Sequence, residues 1–168
     1  HAPHLSIAVK GHEWRGEDIA LRFADNAIWF DQFRLYSNVN NNIQSDIEIN
    51  GVVRAGGEEN VQMNISNFDL SLLASFIPAA GDLAGELGMT MSIGGTAAYP
   101  EISTNLKIID GRYNDYSVNR IEAKAEYMEN ELSANLLVAP LSDSLQIAAR
   151  LPMSLSFDPP LIQIDKEA

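Results

Sequence analysis

The sequence predicts a mostly-β fold: a long antiparallel meander of about nine or ten strands with one short helix. Three observations carry that reading. Apolar residues alternate with polar ones along almost the whole chain, as Leu87, Met89, Met91 and Ile93 do with Gly88, Thr90, Ser92 and Gly94. Successive strand side chains point to opposite faces, so this pattern makes strands that are oily on one side only. Short clusters of Gly, Asn, Asp and Pro separate the runs, and strands joined by such short turns are antiparallel. Helical spacing occurs once, at Leu72, Leu73, Phe76 and Ile77.

In chain order, Leu5, Ile7 and Val9 open a strand that Gly11 closes. Ile19, Leu21 and Phe23 alternate up to a turn at Asp25-Asn26, residues that tolerate tight reversals. Ile28 to Phe30 and Phe33 to Leu35 form the next strand, and the phase slips between Phe30 and Phe33 as it does at a β-bulge. The run from Ser37 to Asn42 reads as a polar loop. Ile43, Ile47, Ile49 and Val53 then share one phase, the chain turns from Ala55 to Asn60, and Val61, Met63 and Ile65 return it.

Here the period changes. Ser66-Asn67 supplies an N-cap, Asp69 sits in the first turn, and Pro78 ends a helix expected over about 67–77. The stretch from Leu83 to Tyr113 reads as a long hairpin around a Gly-Gly-Thr…Pro turn, with Ile102, Leu106 and Ile108 on its second arm. Ile121 to Tyr127, a Glu129-Asn130 turn, Leu132 to Val138, and Leu145 to Phe157 continue the meander, with Pro140 as a terminator and Pro152 as an interruption. Pro159-Pro160 introduces a last strand at Leu161. Strands this long belong to broad coiled sheets more than to compact sandwiches, whose strands usually run about five or six residues.

A chain of 168 residues suits one domain or a segment of something larger, and residues 1–4 read as a cloning scar. A formal charge of -12 argues against a nucleic-acid partner and against electrostatic attachment to an anionic membrane. The absence of cysteine excludes disulfides and thiolate metal sites. No apolar run approaches the roughly 20 residues of a spanning helix.

Catalytic chemistry is thinly represented, and neither an enzyme nor a cofactor is expected. The histidines, His1, His4 and His12, cluster near the start, and the first two fall in the scar. Asp25, Asp31, Asp46, Asp69, Asp82, Asp110, Asp115 and Asp143 lie mostly in turns or on wet faces, where solvated turn formers explain them better than an acid–base pair. Asn38 to Asn42 lacks the spacing of an oxygen-rich calcium loop. No helix N-terminus follows Gly56-Gly57 or Gly94-Gly95 to cradle a phosphate. Trp14 and Trp29 read as core residues before sugar platforms.

One order of residues is distinctive. Leu83-x-Gly85-x-Leu87…Ile93-x-Gly95-Thr96…Pro100-x-Ile102…Leu106…Gly111-x-Tyr113, preceded by Phe68-Asp69-Leu70…Ile77-Pro78, resembles the recurring signature of the TamB and AsmA-like family of bacterial envelope proteins. Ser45 to Gly51 is similar in style. The likeness is clear over about 66–113, and Thr104 stands where the family often has Gly, which puts a local bulge in doubt.

The resemblance implies a sheet rolled lengthwise into a half-pipe (taco-like) with an apolar interior, one segment of a longer β-groove protein anchored in the inner membrane and reaching across the periplasm. It implies a conduit for phospholipid between inner and outer membranes. The expected partners are acyl chains, neighbouring segments of the same chain and a BamA-like outer-membrane protein. The residues expected to line the lipid groove are Ile47, Ile49, Met63, Ile65, Met89, Met91, Ile93, Ile102, Leu106, Ile108, Leu136, Ile147 and Leu155, chosen because they share a phase within each strand. Flexible Met63, Met89, Met91 and Met153 suit a surface that adapts to chains. Two alternatives stay open: a scaffold that assembles outer-membrane proteins by pairing strands at a sheet edge, and a structural β-sandwich. Periodicity alone is ordinarily explained by the sandwich.

Overall fold

The computed structural model describes residues 5–9, 12–16, 19–39, 42–75, 82–140 and 144–164. Its strands are β1 (Leu5–Val9), β2 (His12–Gly16), β3 (Ala20–Ala24), β4 (Ala27–Val39), β5 (Asn42–Arg54), β6 (Asn60–Asp69), β7 (Leu83–Gly95), β8 (Pro100–Tyr113), β9 (Tyr116–Met128), β10 (Glu131–Ala139), β11 (Leu145–Phe157) and β12 (Pro160–Ile164). All twelve belong to one open antiparallel sheet in the order β1-β2-β4-β5-β6-β7-β8-β9-β10-β11-β12, with β3 also paired to β4. A sandwich needs two sheets, so the sandwich alternative is not the fold that the described residues form.

The expected meander is present, with more strands than alternation alone marks. The strand missed in the sequence is β2, whose His12-Glu13-Trp14-Arg15-Gly16 carries a single large apolar residue. It pairs with β1 on one side and meets β4 at Trp14↔Ser37 and Arg15↔Tyr36 on the other. The expected polar loop at Ser37 to Asn42 is shorter than its composition implies, because β4 runs to Val39 and β5 starts at Asn42. Gly11 lies outside the described residues.

The turns follow their residues. Asp25-Asn26 and Glu129-Asn130 have positive φ throughout (53° and 55°, 53° and 62°), the conformation of tight two-residue hairpins. The bulge read from the phase slip is where the sequence puts it, as a register shift between Phe30 and Phe33 against Gly51 and Ile49. Thr104 pairs with Met91 in an unbroken stretch of ladder, so no bulge forms there. The shift in that hairpin falls between Ala84 and Glu86, where Gly85 has φ +126° and its missing Cβ would meet Gly111 Cα at 3.0 Å.

The helix differs from expectation. β6 continues to Asp69 through a register shift between Ile65 and Phe68, with Asn67 at φ 52°. A 3₁₀ helix of six residues, Leu70–Ser75, follows it. The N-cap is therefore Asp69, whose Oδ1 accepts the Ser71 N–H at 2.8 Å, not Ser66-Asn67. The buried residues are Leu70 (5% exposed) and Leu72 (2%), and Leu73 is half-buried. Phe76 and Ile77 lie outside the described residues. The two ladder pairs that β6 makes past its register shift, Phe68↔Leu87 and Asp69↔Glu86, outweigh the marginal propensity of so short a helix.

Candidate functional site

The ladder decides which side chains share a face, because residues directly opposed on neighbouring strands project to the same side. Following the pairs from strand to strand gives continuous rows. One row reads Leu35, Ile47, Ile65, Met89, Leu106, Ala123, Leu136, Ile147 from β4 to β11. The next reads Phe33, Ile49, Met63, Met91, Thr104, Ala125, Ala134, Ala149. A third reads Phe30, Gly51, Val61, Ile93, Ile102, Tyr127, Leu132, Leu151, and a fourth runs Phe68, Leu87, Ile108, Ile121, Val138, Leu145.

Twelve of the thirteen residues singled out in the sequence fall in these rows, at two-residue intervals along each strand. The thirteenth, Leu155, lies past Pro152, where β11 changes neighbour and pairs with Ile162 of β12. The rows also take in Ala123, Ala125, Tyr127 and Ala134, which alternate with the rest in the sequence. Their small size, or the hydroxyl of Tyr127, hides them from a search for large aliphatic residues.

Every described strand is in the one sheet, so no second sheet lies over this face among the described residues. The singled-out residues are consequently half-buried, and Ile147 is 47% exposed. Val61, Leu87 and Tyr127 are the buried members. Trp14, 7% exposed, packs with its ring centroid 5.7 Å from that of Phe68, as a core residue would. A cleft of about 930 Å³ spans β6 to β11. Most of its lining, with Asn64, Thr90, Asn105, Lys107, Glu122, Lys124, Asn135 and Gln146 among it, belongs to the alternate, polar rows. Of the apolar rows only Ile65, Met89, Leu106, Ala123, Leu136 and Ile147, which lie between them in the ladder, take part. A smaller cleft of about 360 Å³ adjoins it, lined mainly by polar-face residues such as Glu48, Asn50, Gln62, Ser92 and Ser103.

The alternate residues form the polar face. Lys107 is directly opposite Glu122, Lys124 Nζ lies 2.8 Å from Glu126 Oε1, and Arg120 Nε lies 3.6 Å from Glu122 Oε1. These groups are about half exposed, where each pair is worth little and mainly keeps the face wet. Arg34 is bound more tightly: its guanidinium donates to both carboxylate oxygens of Asp46 and pairs with Glu48. The Asp46 hydrogen bond chiefly raises the Arg34 pKa above the ordinary arginine value. Two guanidinium groups lie over the Trp29 ring, Arg22 at 4.5 Å and Arg54 at 5.7 Å from its centroid.

Among the described residues no group of three or more His, Cys, Asp or Glu is placed to hold a metal, and no helix is long and apolar enough to cross a membrane. His1 and His4 lie outside the described residues. Comparison with known proteins found no matching protein family, no similar curated protein and no similar solved structure.

Proposed function

We propose that this chain is a segment of a lipid-conducting β-sheet of the TamB and AsmA-like kind, whose apolar face shields phospholipid acyl chains on their way between two membranes. One observation carries the reading: four adjacent rows of side chains, apolar but for the hydroxyls of Thr104 and Tyr127, cross the sheet through β7 to β11 without a charged member, and no second sheet covers them among the described residues. A face of that kind exposes apolar surface that water penalises, and an occupant with methylene chains gains roughly 0.8 kcal/mol per methylene buried. The rows contain no hydrogen-bonding array to fix one position, which leaves chains free to slide. Lipid head groups stay in water at the rim. In the full protein this segment would sit in the periplasm as part of an inner-membrane-anchored chain.

The test is mass spectrometry of organic extracts from the folded, purified protein. Phospholipid at a reproducible ratio supports the reading, and a protein that stays lipid-free after incubation with phospholipid vesicles contradicts it. The scaffold alternative draws on a different feature. β12 pairs only with Met153 to Phe157, so the edge of β11 from Leu145 to Leu151 has no strand beyond it among the described residues. An extended peptide added there would compete with no existing ladder.

A further inference from the structure

β11 changes allegiance at Pro152. Up to that residue it pairs with β10, the last pair being Glu131↔Pro152; from Met153 to Phe157 its ladder partner is β12 alone. This second part crosses the Glu129-Asn130 turn, where the Met153 N–H donates to Asn130 O at 2.9 Å. It then reaches the β7–β8 turn, where the Phe157 N–H donates to Ala97 O at 2.6 Å and Ser156 Oγ lies 3.4 Å from the same oxygen. Beneath it sits Tyr127, 5% exposed. The Leu155 N–H donates to Tyr127 Oη at 2.9 Å, and the Tyr127 hydroxyl lies 3.3 Å from Asn130 Oδ1 and 3.4 Å from Met153 O.

We propose that residues 153–164 form a strap, hinged at Pro152 and latched on Tyr127 and Ala97, that covers one end of the apolar face and opens independently of the sheet. Proline has no N–H, so the ladder to β10 stops at 152 without stranding a donor. The strap is only partly buried: Met153 and Leu155 are half-buried, but Phe157 is 45% exposed, Leu161 45%, Ile162 74% and Ile164 54%. What holds it is the short set of hydrogen bonds just named, and segments with few buried apolar contacts open at a fraction of the global unfolding cost. Lifting it uncovers Tyr127 and extends the row Ile102, Tyr127, Leu132, Leu151 into open surface. That the strap gates an apolar ligand rests on the lipid reading; that it opens on its own does not.

Amide hydrogen exchange followed by NMR separates the two. In the wild type, the Leu155 and Phe157 amides should exchange at least on the order of tenfold faster than that of Leu106 in β8, and Tyr127→Phe should speed them by about a further tenfold, the equivalent of one net hydrogen bond, with Leu106 unchanged. Strap amides exchanging only at the rate of β8 would overturn the proposal, as would Tyr127→Phe leaving them unchanged. Because the chain has no cysteine, Ala97→Cys with Ser156→Cys can be bridged by a short bismaleimide to lock the strap. The locked protein should take up cis-parinaric acid more slowly than the same variant unbridged. Equal uptake would overturn the gate; no uptake by either form would overturn the lipid reading and the gate with it, leaving the exchange data to decide the strap itself.

Discussion

Leu106→Glu places a charge in the middle of the apolar face and separates an open sheet from a closed core. Leu106 sits in β8 between Met89 and Ala123 and is half-buried. Fully burying a leucine is worth roughly 1.5–3 kcal/mol, so a half-buried one gives up about 1 kcal/mol when replaced. Lower strand propensity adds less than about 1 kcal/mol. No covering sheet blocks the new carboxylate from water, so the large penalty for an unpaired buried charge does not arise. The expected total is about 1–2 kcal/mol, read as a lower urea midpoint with an unchanged slope. Between two packed sheets the same carboxylate would cost several kcal/mol, enough to unfold a domain whose whole stability is about 5–15 kcal/mol. The folded variant should lose its extractable lipid. An insoluble protein, or a loss above about 4 kcal/mol, would refute the open face; a folded variant with undiminished lipid would refute the use of that face.

Leu72→Ala removes a side chain that is 2% exposed in the 3₁₀ helix and should cost about 2–4 kcal/mol, seen as a clear fall in Tm. Gly51 has φ +122°, and a Cβ there would lie 1.9 Å from Asn60 O. Gly51→Ala should therefore destabilise by at least about 1–3 kcal/mol in urea unfolding, and an unchanged midpoint would show that the β5–β6 pairing is wrong. Asp46→Ala breaks the forked contact with Arg34 and should cost about 1 kcal/mol. Hydrogen bonds from Arg15 and then Ser6 hold the Glu13 carboxyl below the ordinary glutamate value. Its contribution is present above that ordinary value and is lost as pH falls through the lowered one, so an NMR titration should give a midpoint below that of a Glu model peptide.

Much of the sheet is legible in the residues because alternation, turn chemistry and register obey the same rule of two. The Leu83–Tyr113 hairpin, the Phe30–Phe33 bulge and the two-residue turns at Asp25 and Glu129 follow directly from it. β2 escapes notice because Trp14 is its one large apolar residue, so the strand shows no alternation. The helix was misplaced because Asn67 at positive φ lets β6 absorb an irregularity and continue, which no local periodicity records. The shared face of twelve of the thirteen apolar residues follows from their phase; Leu155 falls outside because β11 changes partner at Pro152. Tyr127 becomes important only once β11 is seen to cross above it, a contact between residues 28 apart that no short-range pattern encodes.

The central claim is that acyl chains lie on one face of this sheet and not on the other. Photocrosslinking with p-benzoylphenylalanine placed in turn at Met91 and Leu106, and at Thr90 and Lys107 on the opposite face, tests it in protein incubated with phospholipid vesicles. Lipid adducts at Met91 and Leu106 with none at Thr90 and Lys107 is the result the account predicts. Adducts on both faces alike, or on neither, would contradict it.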